Sequence, residues 1–531
     1  METYDYIIVG TGSAGCVLAN RLSADPATRV LLIEAGPDDT SPLIRMPRGI
    51  GKLLTPGNPH VYDYRVTPAG NQPEEVWLKG RAIGGSSSIN GMVYMRGAPQ
   101  DYDDWAAAGC TGWGWDRIGR HFVALEDHQL GAGEWRGTGG PLRISRHPAG
   151  NPLTAAILGA AQQMGVPTVE DVNDVDVVAS QGFGYQTVTT YNGQRFSAAR
   201  AFLDPVRARP NLDILTGAQA TRILFDDKRA SGLQLGDRTV LCRGEIVLCA
   251  GAVETPKLLE LSGIGDGARL QALGIETLAH SPQVGENLRE HRYLAIDYSL
   301  TGGSSNRDLQ GWRLIASVLQ YALLKRGPMT DAAHEVGGFV KTRAGLDRPD
   351  AQIGSMLVTM SMGENGPVLG REPGMRMLGY FTRPESQGST HIVSPDITVQ
   401  PAIDANHFAA EIDRTTAVSL FRWLRKLGEQ AALAPWVIAE TERSARFTSD
   451  EDILAHALEL GGTSFHIAGT CRMGADDGTP LDPQLRVRGV EGLRVCDTSI
   501  MPTLVSGNTN APAMALALNA AEIILATKAS A

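Results

Sequence analysis

Residues 4–22 read YDYIIVGTGSAGCVLANRL, and the reading of this stretch decides the fold. Tyr6 to Val9 form an uncharged, partly β-branched run of the kind buried on both faces in a parallel sheet. The run ends in Gly10-Thr-Gly12-Ser-Ala-Gly15, and a helical pattern through Leu22 follows at once. After the turn ADPAT at 24–28, a second apolar run, RVLLIEAG, reaches Glu34. Strand, glycine turn, helix and strand in this order build a parallel α/β unit. Gly10 makes the tight turn, Gly12 lets backbone approach a pyrophosphate, and Gly15 lets helix and strand pack closely. The helix start at Ser13 and Ala14 faces the phosphates with its free N–H groups. Glu34 is placed to accept hydrogen bonds from a ribose, which favours an adenosine without a 2′-phosphate. A dinucleotide cofactor follows; the motif alone does not separate NAD from FAD.

At 531 residues the chain exceeds what one growing core holds, so two domains or one large discontinuous domain are expected. A net charge of −10 without a long Lys/Arg run argues against a nucleic-acid partner. Cys16, Cys110, Cys242, Cys249, Cys471 and Cys496 form neither a CxxC pair nor a zinc spacing, so they read as reduced core residues and no metal site is expected. The first strand begins by about Tyr6, so no secretory signal is expected. There is no uncharged apolar stretch of about 18 residues to cross a membrane. The expected location is cytoplasmic. Residues 312–327, WRLIASVLQYALLKRG, have the pattern of an amphipathic helix, which either packs on its own domain or touches a membrane surface peripherally.

Three further segments bear on the cofactor. Residues 78–97, LKGRAIGGSSSINGMVYMRG, are loop-like, with small side chains from Gly84 to Ser88 that let backbone lie against a planar ring. Residues 245–265, EIVLCAGAVETPKLLELSGIG, repeat the strand–turn–helix order, with Thr255 as N-cap and Pro256 at the first helical position. Residues 492–528 give a short strand ending at Asp497, a loop, and a long helix starting near Ala511-Pro512, so both ends of the chain build one domain.

Together with SFHIAGTCRMG at 464–474, these motifs in this order resemble the glucose–methanol–choline (GMC) oxidoreductase family over nearly the whole chain. GSSSIN at 85–90, NGQRFSAARAFL at 192–203 and GNTNAP at 507–512 are most similar to its bacterial alcohol, choline and polyethylene-glycol dehydrogenases. The resemblance implies an α/β FAD-binding Rossmann-like domain, of the GMC and glutathione-reductase kind, with a discontinuous α+β substrate domain built on an antiparallel sheet. Residues 1–155, 196–295 and 457–531 would form the first domain, and 156–195 and 296–456 the second. It implies FAD, with Gly10, Gly12, Ser13, Ala14, Gly15 and Glu34 on the ADP half and Ala220 near the adenine. Gly85, Ser86, Asn90, Gly91, Met92 and Val93 would lie at the isoalloxazine, and Asp497 and Thr509 complete the set. Members with covalent flavin carry a histidine just before the asparagine of this loop; Ile89 stands there, so non-covalent FAD is expected.

In the family pattern the histidine of the S-x-H-x-x-G-T-x-x-M-G block faces the flavin, which makes His466 the catalytic candidate, with Asn510 as its partner. Oxidising an alcohol removes the hydroxyl proton and passes a hydride from the same carbon to flavin N5. A neutral imidazole can take that proton, and an amide can hold the substrate oxygen. The middle of the chain alternates in AQIGSMLVTMSM and MRMLGYFTRPES, read as antiparallel strands covering the flavin, with Met360, Met362, Met377 and Phe381 as candidates for its lining or for core packing. Glu335 would either bind an ammonium group or be a structural carboxylate. The expected reaction is oxidation of an uncharged or aromatic primary alcohol to the aldehyde, with a quinone-like carrier or dioxygen as electron acceptor. A peroxide-producing oxidase, a choline dehydrogenase and an FAD-containing hydroxynitrile lyase are the alternatives.

Overall fold

The computed structural model describes residues 2–66, 74–363 and 366–530, without the side chains of 361–363, 366–367 and 528–530. Thr3–Val9 lies at the centre of the first sheet, parallel to Val30–Ile33 on one side and to Arg238–Leu248 on the other. Leu212–Leu215 adds beyond Val30–Ile33, and Leu493–Val495 beside the end of Arg238–Leu248, both parallel. Ile7, Ile8, Leu31 and Leu32 are fully enclosed, as a continuous apolar run in a doubly covered strand requires. An antiparallel meander, Arg222–Asp226 and Arg229–Leu235, widens the sheet. The helix Ser13–Leu22 can lie against the strand end because residue 15 is glycine: a Cβ there would sit 1.9 Å from Gly10 O.

The C-terminal helix Asn510–Ser530 packs against Ser13–Leu22 and Trp115–Leu125. Its span 510–527 has the length and hydropathy of a membrane-crossing helix, but most of it is buried, with Ala515, Ala517 and Ala520 fully enclosed. A helix apolar on all sides is here the core of the first layer. All six cysteines are free and buried.

The second sheet is antiparallel, in the order Val437–Glu440, Arg292–Leu300, Gly374–Phe381, Ala351–Met356, Val336–Val340, Gly182–Tyr185, with Gly462–Thr463 also on Arg292–Leu300. Arg292–Leu300 and Gly462–Thr463 thus draw into this sheet residues expected on the cofactor side, up to 295 and from 457. Helices Pro152–Gln163, Glu411–Gly428 and Asp450–Glu459 cover one face. The other face looks toward the first sheet. Along Gly374–Phe381, Met375, Met377 and Phe381 pack under the helices, while Arg376, Leu378 and Tyr380 line the cavity between the layers. Strand alternation therefore puts Met377 and Phe381 in the core and their neighbours at the site. Met360 does line the cavity, and the side chain of Met362 lies outside those described.

The helix at 251 differs from its expected start. It runs Gly251–Leu261, so Thr255 and Pro256 are interior rather than N-cap and first residue. Pro256 has no N–H to give the Ala252 carbonyl, and the Thr470 hydroxyl donates to that carbonyl instead, at 2.7 Å. Thr255 Oγ1 donates to Asp497 Oδ2 at 2.7 Å. Residues 78–97 also carry more order than a loop: Glu75–Gly80 is a strand and Gly85–Ser88 a 3₁₀ turn.

Candidate active site

A cavity of about 530 Å³ runs between the two layers. Three helices present their first residues to it: Ser13 and Ala14, Gly251 to Val253, and Asn510. Their free N–H groups make this wall favourable for a diphosphate. A Cβ on Gly12 would meet only Cys249 O, at 3.9 Å, so this glycine leaves open space on the cavity side. Gly85 backs onto Gly12, where an added Cβ would come within 2.7 Å of the Gly12 Cα.

Glu34 lines the wall with its carboxylate held in place. Its Oε2 accepts from Thr11 N (3.1 Å) and Thr11 Oγ1 (2.5 Å), and its Oε1 from Gly36 N (2.9 Å). A carboxylate has about four acceptor positions, so one remains for a ribose hydroxyl. Burial raises its pKa, opposed by these hydrogen bonds. Asp497 accepts from Gly251 N (2.8 Å), Thr255 Oγ1 and Ser499 N (2.8 Å), tying the second helix start to the C-terminal segment. Gly10, Ala220 and Thr509 also line the cavity; Gly15 acts one layer back, in the packing beneath it.

Ser86, Asn90, Gly91, Met92 and Val93 line the far half. Asn90 Oδ1 accepts from Met92 N (3.0 Å) and from Arg195 Nη1 (2.7 Å). Arg195 was not singled out by the sequence reading, although it lies in NGQRFSAARAFL. Its buried guanidinium also donates to Ile44 O and Ser87 O, fastening the loop from behind, and burial pushes its pKa down to about 9. Ile89 is buried among Ile44, Leu53, Val61 and Leu78. Met92 has φ +63°, a strained conformation for a long side chain that its neighbours hold in place.

His466 stands opposite, buried at the cavity wall, and a hydrogen-bond chain sets its tautomer. The Thr382 carbonyl can only accept, so His291 Nε2, 2.9 Å away, carries a proton. Burial holds the His291 pKa down to about 3, so its Nδ1 is bare, and His466 Nδ1 donates to it at 3.0 Å. His466 Nε2 is then a lone pair, and Asn508 Nδ2 lies 3.0 Å from it. The Asn508 amide faces this way because its Oδ1 accepts from Gln352 Nε2 (3.0 Å), whose Oε1 accepts from the Tyr380 hydroxyl (2.6 Å). Burial first, then the neighbouring His291 and Lys79, push the His466 pKa well below 6.5. Phe465 before it has φ +63°; Lys79 Nζ donates to its carbonyl (2.8 Å), and its N–H donates to Thr463 Oγ1 (2.8 Å).

The partner of His466 is therefore Asn508 rather than Asn510. Asn510 opens the C-terminal helix and accepts from Ser13 Oγ at 2.7 Å, joining two helix starts at the cofactor wall. Glu335 is absent from the lining; it is buried behind it, where burial holds its carboxyl up to about 7. The lining opposite the helix starts instead carries Arg376, paired with Asp297 at 2.6 and 2.7 Å, and Arg443.

A cavity that receives a diphosphate on one wall and offers a buried proton acceptor on the other is that of a dinucleotide-dependent oxidoreductase. The chain belongs to the GMC oxidoreductase family, whose sequence profile matches residues 4–293 and 384–517. It is similar to an alcohol dehydrogenase (acceptor) of Pseudomonas putida, 39% identical over 537 residues, covering 98% of this chain and 96% of that one. Human mitochondrial choline dehydrogenase is 36% identical, covering 98% and 90%. Among solved structures, pyridoxine 4-oxidase from Mesorbium loti superposes with a TM-score of 0.87 at 33% identity, covering 98% of each chain. The protein is an FAD-dependent oxidoreductase, and the helix starts, Glu34 and the small-residue loop fit that cofactor.

Proposed function

We propose that this protein oxidises an uncharged, apolar or aromatic primary alcohol to the aldehyde and passes the electrons to a quinone-like acceptor. The observation that carries the reading is the His466–Asn508 pair, with the His466 lone pair at Nε2. An alcohol hydroxyl replaces the direct Asn508–His466 hydrogen bond, donating to His466 Nε2 while accepting from Asn508 Nδ2. The neutral imidazole takes the proton as the alkoxide forms, and His291 steadies the resulting cation through the Nδ1–H bond. FAD, when bound, supplies the hydride acceptor. Tyr380 and Gln352 hold the amide so that it donates to the substrate oxygen throughout.

Arg443 in the lining disfavours a quaternary ammonium substrate, the charge of Arg376 being offset by Asp297, while Met356, Met360 and Leu378 suit an apolar one. The similarity to an alcohol dehydrogenase (acceptor) supports an acceptor other than dioxygen, and Ile89 in place of a histidine supports non-covalent FAD. The test is an anaerobic screen of alcohols for flavin bleaching, followed by reoxidation with a quinone or with dioxygen. Bleaching by apolar primary alcohols and faster reoxidation by the quinone are expected. No bleaching by any alcohol would point to a lyase, and stoichiometric peroxide at the quinone rate would make it an oxidase.

A further inference from the structure

The helix Gly311–Leu324 is packed inside out. Of its 14 residues only Ser317 and Tyr321, one turn apart, are buried. Trp312, Ile315, Leu319 and Leu323, at helical spacing on another side, are 74%, 63%, 56% and 79% exposed. A surface helix of a globular protein ordinarily turns its apolar stripe to the core. Here the stripe faces outward, so packing on its own domain does not account for it.

Polar contacts hold the helix in that orientation. Tyr321 OH donates to Arg45 O at 3.3 Å, and Asn306 Nδ2 and Gln310 Nε2 both donate to Gly370 O, at 2.7 and 2.8 Å. Gly370 follows the hairpin strand Gly366–Leu369, whose Val368 is also exposed. The apolar surface thus extends from the helix toward the hairpin on a fixed platform. Segments next to these anchors reach the cavity: Ile50, Ala333, His334 and Met360 line it.

The local charge is opposite to that of the whole chain. Residues 306–328 contain Arg307, Arg313, Lys325 and Arg326 against Asp308, in a protein with a net charge of −10. Arg313 lies 3.7 Å from Asp308 and Arg307 3.7 Å from Glu372, and Lys325 and Arg326 follow the last helical turn. A cationic flank repels a second copy of itself and attracts anionic headgroups.

We propose that this face docks on an anionic phospholipid bilayer, with Trp312, Ile315, Leu319 and Leu323 at the boundary of headgroups and acyl chains and Lys325 and Arg326 at the phosphates. The docking is independent of turnover. The test is flotation of the full FAD-loaded chain with vesicles of mixed phosphatidylcholine and phosphatidylglycerol. The parent protein floats with them, and less so with pure phosphatidylcholine or at raised salt. Leu319→Asp with Leu323→Asp abolishes flotation while leaving the rate on a soluble alcohol unchanged. Lys325→Ala with Arg326→Ala weakens binding by about 30-fold, the effect of two basic side chains near an anionic surface. A parent protein that does not float, or flotation that survives the two aspartates, would overturn the proposal. A lipid-free dimer dissolved by the two aspartates, with no flotation of the parent, would assign the face to a second copy instead.

Discussion

His466 is held neutral by its surroundings, which sets how the enzyme responds to pH. Its folded-state pKa lies well below 6.5, so acidification through 6.5 leaves the imidazole unprotonated and able to accept a proton. The rate of anaerobic flavin reduction should stay flat as pH falls through 6.5 and decline only well below it; stopped-flow rates across that range check this, and half-loss near pH 6.5 would contradict it. His291 acts through His466. In His291→Phe the buried Nδ1–H of His466 loses its acceptor and the tautomer is no longer imposed, which at about 1–3 kcal/mol slows reduction by about 5- to 150-fold with FAD still bound. The sequence motif was enough to single out His466. Its partner was not legible, because Asn508 and Asn510 flank Thr509 at nearly the same distance from the histidine, and only the start of the C-terminal helix separates their directions. Met377 and Phe381 take the core-packing role of the two the sequence left open, because one residue of strand register moves a side chain to the other face of the sheet.

Elements of the cofactor wall divide the work between fold and ligand, and two glycines expose the division. Gly15→Ala places a Cβ 1.9 Å from Gly10 O, forcing helix and strand apart, so it should lower the melting temperature and lose FAD. Gly12→Ala meets nothing nearer than 3.9 Å in the protein, so the chain should fold normally while binding FAD poorly. Circular dichroism melts and bound-flavin absorbance distinguish the two; equal folding defects would refute the assignment. The packing role of Gly15 was readable because strand, turn and helix are contiguous in sequence. The start of Gly251–Leu261 was not, because Thr255-Pro256 is a valid helix opening, and the hydroxyl that satisfies the Ala252 carbonyl comes from Thr470, far along the chain.

Across the whole molecule, buried histidines make acid the weak side of its stability. His128, His334 and His456 are held down to about 4 and His291 to about 3, mainly by burial, and His407 and His466 are also lowered. Unfolded histidines bind protons at about 6.5, so these contributions are present above that pH and are lost as pH falls toward the folded values. Glu290 and Glu335, raised to about 7, and Asp39, raised to about 6, act oppositely: their contribution is present below the unfolded carboxyl values and is lost as pH rises through the folded ones. With His60, His121 and His147 also lowered, and Glu34, Asp101 and His391 raised, nine lowered histidines outweigh five raised carboxyls and one raised histidine, so the melting temperature of the holoenzyme should fall between pH 6.5 and 4.5, and a rise over that interval would contradict the balance. Denaturation should also release the flavin into the supernatant, since Ile89 offers no atom for a covalent link. The layer order was legible from the two ends of the chain, whereas the strands at 292 and 462 were not, because their pairing is decided by partners scattered from 293 to 463.

The central claim is that His466 takes the hydroxyl proton with Asn508, and not Asn510, beside it. Single-turnover anaerobic flavin reduction in His466→Ala, Asn508→Ala and Asn510→Ala, each with bound FAD confirmed by absorbance, tests it directly. Reduction should slow by about 10² to 10⁴ in His466→Ala, the usual range for a general base, and Asn508→Ala should be slower than Asn510→Ala. A His466→Ala enzyme that reduces its flavin at the parent rate, or an Asn510→Ala enzyme slower than Asn508→Ala, would contradict the account.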